Sequence, residues 1–195
     1  RPTALAQLQA CAAVGQGELM HRYTLALRKH EALGAQVLLT QQDLIDRTRI
    51  RNAKQTLLTL LHRQVMPVIN ENDTVAVEEI TFGDNDRLAA FVACAIHADL
   101  LVILSDVDGL LKHGTVVPRV EMLSRAYRLV APAAARQTTK GGMASKLEAA
   151  RMVGARGIPM VIANGTSPSA LADVLSGKPT GTFFVPRRPG VHPSP

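Results

Sequence analysis

Aromatic side chains are scarce in this sequence of 195 residues. Phe, Tyr and Trp together make up 3% of it, and there is no Trp. Proteins that bind single-stranded nucleic acid stack bases on aromatic rings, so this scarcity argues against that class. The hydrophobic core must therefore be built mainly from aliphatic side chains, which suits a fold rich in Leu, Val, Ile and Ala.

Cysteine, metal-binding patterns and long apolar runs are also limited. Cys11 and Cys94 each lie in an Ala-rich apolar stretch, which predicts two buried free thiols. The sequence has no CxxC pair, and its six histidines include no pair with zinc spacing. The longest apolar run, 88–96, is far shorter than the roughly 20 residues of a membrane span. These features predict a protein of the reducing cytoplasm without a membrane segment.

Basic residues outnumber acidic ones by 22 to 16, which gives a net charge of +6 at pH 7. Such a balance attracts anions, including nucleotides, acidic metabolites and nucleic acid, without choosing among them. The basic residues are scattered, and we expect most of them on solvated helix faces. A nucleic-acid partner would rest on the charge alone and is not expected.

Helical and strand patterns alternate along the chain. The spacing of apolar residues predicts helices over 4–31, 48–62, 86–97, 143–155 and 168–176, and strands over 35–40, 66–69, 100–104, 158–163 and 182–185. The polar stretch 70–84 is expected to be a loop or hairpin, and 109–139 is hard to read, with a helix near 121–129. The strand 100–104 is continuously apolar, which is typical of a strand buried on both faces. This alternation predicts an α/β fold with a mostly parallel sheet and helices on both faces.

In folds of this kind, ligands bind beyond the carboxyl ends of the strands. Three polar clusters lie in such places, where a predicted strand ends or a predicted helix begins. They are residues 70–74 (NENDT), 83–86 (GDND) and 105–109 (SDVDG). Amides and carboxylates can hydrogen-bond both ends of an amino acid, and carboxylates can orient lysines, hold magnesium or bind ribose hydroxyls. Each cluster could also be a surface turn, because Asn, Asp and Gly favour turns.

A glycine pair precedes the helix predicted over 143–155, in the string 139–146 (TKGGMASK). Glycines before a helix let backbone N–H groups approach a phosphate, and Lys146 lies in reach of the same anion. The Walker A and GxGxxG patterns are both absent from the sequence. Taken alone, the pair could be a simple turn.

Together and in this order, the polar strings resemble one enzyme family. The strings are 67–75 (PVINENDTV), 82–88 (FGDNDRL), 98–110 (ADLLVILSDVDGL) and 141–150 (GGMASKLEAA). They are similar to those of the glutamate 5-kinases, in the amino-acid kinase superfamily, and 13–16 and 36–40 fit as well. INEND and FGDND are specific to this kinase in its superfamily, whereas DVDGL is shared more widely. The resemblance covers nearly everything from residue 1 to about 185.

The resemblance implies a three-layer αβα sandwich with a mostly parallel sheet, the carbamate-kinase-like fold. It implies an amino-acid kinase domain over 1–185, with a Pro-rich tail over 186–195. The implied reaction is ATP-dependent phosphorylation of the γ-carboxylate of L-glutamate, with Mg²⁺ bridging the phosphates. The implied partners are glutamate, ATP and further copies of the chain in a dimer or tetramer.

The resemblance also assigns site residues. It implies that glutamate is bound by Asn70, Asp73, Asn85 and Asp86, and that ATP is bound by Ser105, Asp106, Gly141, Gly142, Met143, Ala144, Ser145 and Lys146. Lys146 would stabilise the transferring phosphoryl group and Asp86 would orient the catalytic lysines. These segments are expected to converge on a single cleft.

The sequence departs from the family pattern in several places. The family's first strand and its lysine-containing loop have no counterpart here, and the first residue is Arg rather than Met, so we expect a missing start and little turnover. Leu111 replaces a Tyr, Lys140 replaces a smaller residue, and 112–137 differs from the usual nucleotide loop. Two alternatives therefore stay open: a related acyl-phosphate kinase, and a non-catalytic fragment that binds ligands.

Overall fold

The computed structural model describes residues 4–40, 42–75, 85–134 and 142–186. Within them, the helices are α1 (Leu5–Arg28), α2 (Arg47–His62), α3 (Asn85–Ile96), α4 (Leu123–Ala134), α5 (Met143–Gly154) and α6 (Ala170–Leu175). The strands are β1 (Leu33–Leu39), β2 (Val65–Glu71), β3 (Leu101–Ser105), β4 (Leu111–Lys112), β5 (Thr115–Val116), β6 (Arg119–Val120), β7 (Met160–Asn164) and β8 (Thr182–Phe184). Each predicted helix and strand is confirmed, with its ends shifted by a few residues. Among the described residues, no helix has both the length and the apolar character needed to cross a membrane.

The chain forms two compact units, Arg1–Asn85 and Asp86–Pro195. In the first unit β1 and β2 pair in parallel, from Leu33↔Val65 to Leu39↔Glu71. The connection between them is α2, whose start is capped by Asp46: its Oδ1 accepts hydrogen bonds from the backbone N–H groups of Thr48 and Arg49. This β–α–β arrangement places the end of β2 beside the end of β1.

The polar string after the second predicted strand belongs partly to the strand itself. β2 continues through Asn70 and Glu71, and a short 3₁₀ turn, Asp73–Val75, follows. Asn is a poor strand former on its own, but pairing with β1 supplies the ladder that keeps these residues extended. The remainder of the predicted 70–84 loop, including residues 83 and 84 of the second polar cluster, lies outside the described residues.

In the second unit, four strands form a sheet in the order β3-β7-β8-β6. β3 and β7 are parallel, with Ser105 opposite Asn164 at their carboxyl ends. β8 is antiparallel to β7 and parallel to β6. Buried side chains of β7 and α5, including Met160, Ile162, Leu147 and Val153, form the centre of the hydrophobic core. The sheet therefore brings the residues that follow β3 and β7 to one edge.

The α/β class with mostly parallel strand pairing is confirmed. Among the described strands, three pairings are parallel and two are antiparallel. The region 109–139 holds the β4–β5 hairpin, β6 and α4, and its residues 135–139 lie outside the described part. Strands of two residues are too short to show periodicity, which explains why the sequence did not predict them.

Two burial predictions were wrong. Leu104 of β3 is 48% exposed, so this strand is not buried on both faces, whereas the first four residues of β7 are all buried. Cys11 is exposed rather than buried, because α1 has no fully buried residue along its 24 residues. Alanine favours helices whether or not the helix is covered, so an Ala-rich stretch did not indicate burial here. Cys94 is half-buried, and burial raises the pKa of its thiol.

Candidate functional site

A buried ion pair joins the first turns of two helices in the second unit. Lys146 Nζ, near the start of α5, donates to Asp86 Oδ2, near the start of α3, at 3.0 Å. The side chains are only 9% and 14% exposed. α5 buries Leu147 and Ala150, which fixes the rotation of the helix and directs the neighbouring Lys146 to this position. The two residues that the sequence predicted as catalytic are thus in direct contact.

Ser145 ties the same helix start to Asp86. Its Oγ lies 2.7 Å from Asp86 Oδ2 and 2.8 Å from the carbonyl oxygen of Gly142. A hydroxyl has one proton, so it donates to one of these acceptors at a time. Asp86 also lies in the first turn of α3, where the helix dipole stabilises a negative charge. The carboxylate is therefore held from several sides, and it holds the Lys146 ammonium in turn.

The start of α5 has the properties of an anion site. Gly142 is the N-cap and provides no capping side chain. Uncapped N–H groups in a first helical turn, together with the helix dipole, favour a bound phosphate. Gly142, Met143, Ala144, Ser145 and Lys146 are contiguous here, whereas Gly141 lies outside the described residues.

A second polar group lies at the sheet edge where β3 and β7 end. Ser105 Oγ donates to Asp106 Oδ1 at 3.1 Å. Asn164 Nδ2, from the end of β7, donates to Asp108 Oδ1 at 2.7 Å. The sequence did not single out Asn164, although it directly follows the predicted strand 158–163. Its amide fixes one of the two carboxylates of the SDVDG string.

Thr182 supports this string from the start of β8. Its side chain is fully buried, and its Oγ1 accepts from the backbone N–H of Leu110 at 2.8 Å and donates to Val117 O at 2.7 Å. Gly109 lies so close that a Cβ there would be 2.6 Å from the same Oγ1, at a φ of +148°. Only glycine fits this contact, and Thr182 thereby sets the position at which the loop after β3 turns back.

A cavity of about 270 Å³ lies in the first unit at the carboxyl ends of β1 and β2. Its lining residues come from α1, both strands and the following turn: Ala12, Ala13, Gln16, Gly17, Gln36, Leu38, Glu71, Asn72, Asp73 and Thr74. Asn70, at the end of β2, donates from Nδ2 to Gln16 Oε1 at 2.9 Å. The structure therefore brings Asn70 and Asp73 to one end of β2, and adds Gln16 and Gln36. Both glutamines lie in the strings 13–16 and 36–40, which matched the family without being read as site residues.

Asn85 is the first residue of α3 and the last of the first unit.

Another cavity, of about 570 Å³, runs along α2 and is lined by Arg51, Lys54, Gln55, Leu58, Thr59, His62 and Arg63. None of the predicted site residues contributes to this basic groove. Its charges fit the prediction that basic residues lie on solvated helix faces.

A polar contact fastens α5 to α4. Arg151 donates to Glu148, and Tyr127 of α4 donates from its hydroxyl to Glu148 Oε2 at 3.3 Å. The hydrogen bond from Arg151 lowers the pKa of Glu148, with burial opposing it, whereas burial and the nearby Glu148 raise the pKa of Tyr127. This contact helps to fix the helix that carries Lys146.

The sequence profile of the family described as "Amino acid kinase family" matches residues 2–164. The chain belongs to the amino acid kinase family. It is 46% identical to the glutamate 5-kinase of Carboxydothermus hydrogenoformans, over 96% of this chain and 52% of that protein. It is 47% identical to the glutamate 5-kinase of Streptomyces avermitilis, over 95% of this chain and 51% of that protein. The resemblance to glutamate 5-kinases seen in the motifs is confirmed.

This family member spans about half the length of those two relatives. It covers more of the glutamate 5-kinase of Clostridium acetobutylicum, at 40% identity over 96% of this chain and 73% of that protein.

Solved structures share the fold. N-acetylglutamate synthase from Neisseria gonorrhoeae matches with a TM-score of 0.51 and 19% identity, over 68% of this chain and 30% of that one. A protein from Aeropyrum pernix K1 matches with a TM-score of 0.53 and 24% identity, over 68% of this chain and 45% of that one. At these identities the likeness establishes the fold and nothing about the reaction.

Proposed function

We propose that the chain acts in the ATP-dependent phosphorylation of the γ-carboxylate of L-glutamate, which yields glutamyl 5-phosphate and ADP and begins proline biosynthesis. The observation that carries this proposal is the buried contact of Lys146 with Asp86 at the start of α5. An ammonium held beside an uncapped helix start suits a phosphoryl group in transfer. The similarity to glutamate 5-kinases supports the choice of acceptor.

The chemistry requires positioning and charge neutralisation. A γ-carboxylate oxygen attacks the γ-phosphorus, and the bond from that phosphorus to the β–γ bridging oxygen breaks, so ADP leaves. The acceptor is already ionised, hence no proton moves and no general base is needed. In this proposal the Lys146 ammonium and the N–H groups of α5 stabilise the transferring phosphoryl group, while Asp86 and Ser145 hold Lys146 in place.

Glutamate recognition is assigned to Asn70, Asp73, Asn85 and Asp86. Carboxylate and amide oxygens accept from an ammonium group, and amide N–H groups donate to a carboxylate. The cavity of about 270 Å³ beside Asp73 is large enough for a small amino acid, which supports the assignment in the first unit.

Nucleotide binding is assigned to Ser105, Asp106 and residues 141–146. Among the described residues, no three acidic, histidine or cysteine side chains converge on a metal position. Mg²⁺ keeps several waters and needs few protein ligands, so Asp106 or Asp108, after the end of β3, would hold it. Bound in this way, Mg²⁺ would neutralise phosphate charge.

The chain is further proposed to work as a homo-oligomer in the cytoplasm. α1 exposes several large apolar side chains, namely Leu8, Val14, Leu19, Tyr23 and Leu25, which could form a subunit contact. Light scattering measures the molar mass in solution. A monomer mass at every protein concentration used in the assays would contradict the proposed oligomer.

A coupled ADP-release assay with a panel of acceptors tests the function. Because the family's lysine-containing loop has no counterpart in this sequence, we expect a low rate of ADP release that depends on glutamate. The rate should fall further, by about 100-fold or more, in Lys146→Met, because a second donor to the transferring group is lost. Lys178→Met removes a lysine paired with Asp173 at the surface and serves as the control, with unchanged turnover.

Other outcomes separate the alternatives. Turnover of aspartate or acetylglutamate in place of glutamate would assign the chain to a related acyl-phosphate kinase. Calorimetric binding of glutamate and ATP without any turnover would identify a non-catalytic ligand-binding chain.

A further inference from the structure

Gln16 has no assigned part in the proposed reaction, but its side chain pairs with that of Asn70, which is assigned to glutamate recognition. They lie 54 positions apart, Gln16 in the middle of α1 and Asn70 at the end of β2. Asn70 Nδ2 donates to Gln16 Oε1 at 2.9 Å, and the bond is partly buried. Although α1 has no fully buried residue, it therefore makes a specific polar contact with the end of β2.

This bond fixes the orientation of the Asn70 amide. A carboxamide is flat, with a donor on one side and an acceptor on the other. Because Nδ2 is turned towards α1, Oδ1 is directed away from Gln16. The hydrogen bonds of the described residues include none to Asn70 Oδ1. This oxygen can therefore accept a hydrogen bond from a ligand at the end of β2.

Gln16 itself is left incompletely paired. Its Nε2 is shielded from solvent and has no hydrogen-bond partner among the described residues. Buried donors without a partner are rare in folded proteins, and those that persist often have a functional reason. Gln16 also lines the cavity of about 270 Å³, together with Glu71 and Asp73. An oxygen-rich cavity of this kind suits the ammonium end of an amino acid.

We propose that Gln16 is a positioning residue for the amino-acid substrate: it holds the Asn70 amide so that Oδ1 accepts a hydrogen bond from the substrate ammonium. This inference rests on the proposed function, because it assumes that an amino acid binds at the end of β2. Gln16 acts through Asn70 and does not itself take part in phosphoryl transfer.

Calorimetric titration with L-glutamate and, separately, with ATP tests the proposal on the full chain. Gln16→Met removes the acceptor, so glutamate affinity should fall about five- to tenfold, the worth of one hydrogen bond, while ATP affinity stays unchanged. Gln16→Glu keeps an oxygen that accepts from Asn70 Nδ2 and should retain most of the affinity. Gln7→Met, an exposed position on the same helix, is the matched control and should have no effect.

A double-mutant cycle separates positioning from a general effect on packing. Gln16→Met should cost little further glutamate affinity in an Asn70→Ala background, because the group that it orients is already gone. Equal losses in both backgrounds would overturn the proposal, and so would unchanged glutamate affinity in Gln16→Met. If Gln16→Met does not fold, Gln16→Ala, which favours the helix, replaces it in the cycle.

The proposed function and the role of Gln16 are contradicted by different binding results. Wild-type chain that binds ATP but no glutamate contradicts the proposed function itself. If the wild-type chain and Gln16→Met bind glutamate equally tightly, only the role of Gln16 is contradicted.

Discussion

At the scale of single residues, the contact between Lys146 and Asp86 is the feature with the largest consequence. Both side chains are almost fully buried, and Ser145 adds a hydrogen bond to the same carboxylate oxygen. A buried pair of this kind contributes little net stability relative to an apolar pair, but removing one partner leaves a buried charge uncompensated. Such a pair therefore fits a role in ligand binding better than a role in folding.

Substitution of either partner alone should destabilise the second unit. We expect Lys146→Met to lower the free energy of unfolding by about 3 kcal/mol or more, because the buried Asp86 carboxylate loses the ammonium that it contacts. Adding Asp86→Asn should recover part of that loss. Urea unfolding followed by circular dichroism gives the free energy of unfolding of the wild type, of Lys146→Met and of the double variant.

The surface pair of Lys178 and Asp173 is the control, since its lysine side chain is 67% exposed. Lys178→Met should leave the free energy of unfolding almost unchanged, because solvent screens an exposed ion pair. A cost for Lys146→Met no larger than this would show that the buried pair is not electrostatically coupled to the fold.

At the scale of elements, β8 positions the loop that follows β3. Gly181, just before β8, has a φ of +70°, and a Cβ there would lie 1.9 Å from Ile162 O of β7. Glycine therefore allows β8 to approach β7 closely, and Thr182 then enters the core with two hydrogen bonds to Leu110 and Val117. β8, the last of the described strands, thus fixes a loop that begins more than seventy residues earlier.

Thr182→Val tests this connection while conserving shape. The substitution leaves the Leu110 N–H and the Val117 carbonyl without a partner, so we expect a loss of roughly 2–4 kcal/mol in the free energy of unfolding. ATP affinity should fall while glutamate affinity is unchanged. Thr115→Val on the exposed strand β5 is the matched control. Equal ATP affinity in the wild type and Thr182→Val would show that ATP binding by the loop after β3 does not depend on its contact with β8.

At the scale of the whole molecule, the response to pH follows from carboxylates paired within each unit. Burial alone would raise the pKa of Asp43, but hydrogen bonds from Thr40 and Arg49 outweigh it and lower the pKa below its usual value. A group with a lowered pKa in the folded state binds fewer protons there than in the unfolded chain. Its contribution to stability is present above the unfolded pKa and is lost as pH falls through the folded pKa.

Asp43→Asn should therefore flatten the acid side of the stability profile. We expect the wild-type chain to lose stability as pH falls below the pKa of an unfolded Asp, about 3.9, and the variant to lose less over that acid range although it is less stable at neutral pH. Urea unfolding across this range provides the measurement. Parallel profiles for the two proteins would show that Asp43 does not couple folding to protonation.

The sequence by itself determined the elements and the segments that hold the candidate site. Helical and strand periodicity depends on neighbours within a few residues, so α1, α2, α3, α5 and β7 were predictable from spacing alone. The strings around Asn70, Asp86, Ser105 and Lys146 could be identified as candidate binding segments without a structure, because residue type limits what a side chain can bind. Very short strands and the exposure of Cys11 were missed, since neither depends on local pattern.

Only the tertiary structure decided which side chains meet. Asp86 contacts a lysine 60 positions away, Gln16 meets Asn70 across 54 positions, and Thr182 reaches Leu110 across 72. Such pairs are set by how strands align and how helices pack on them, and periodicity within one segment holds no information about that alignment. The physical reason is that hydrogen bonds act over about 3 Å in space and take no account of distance along the chain.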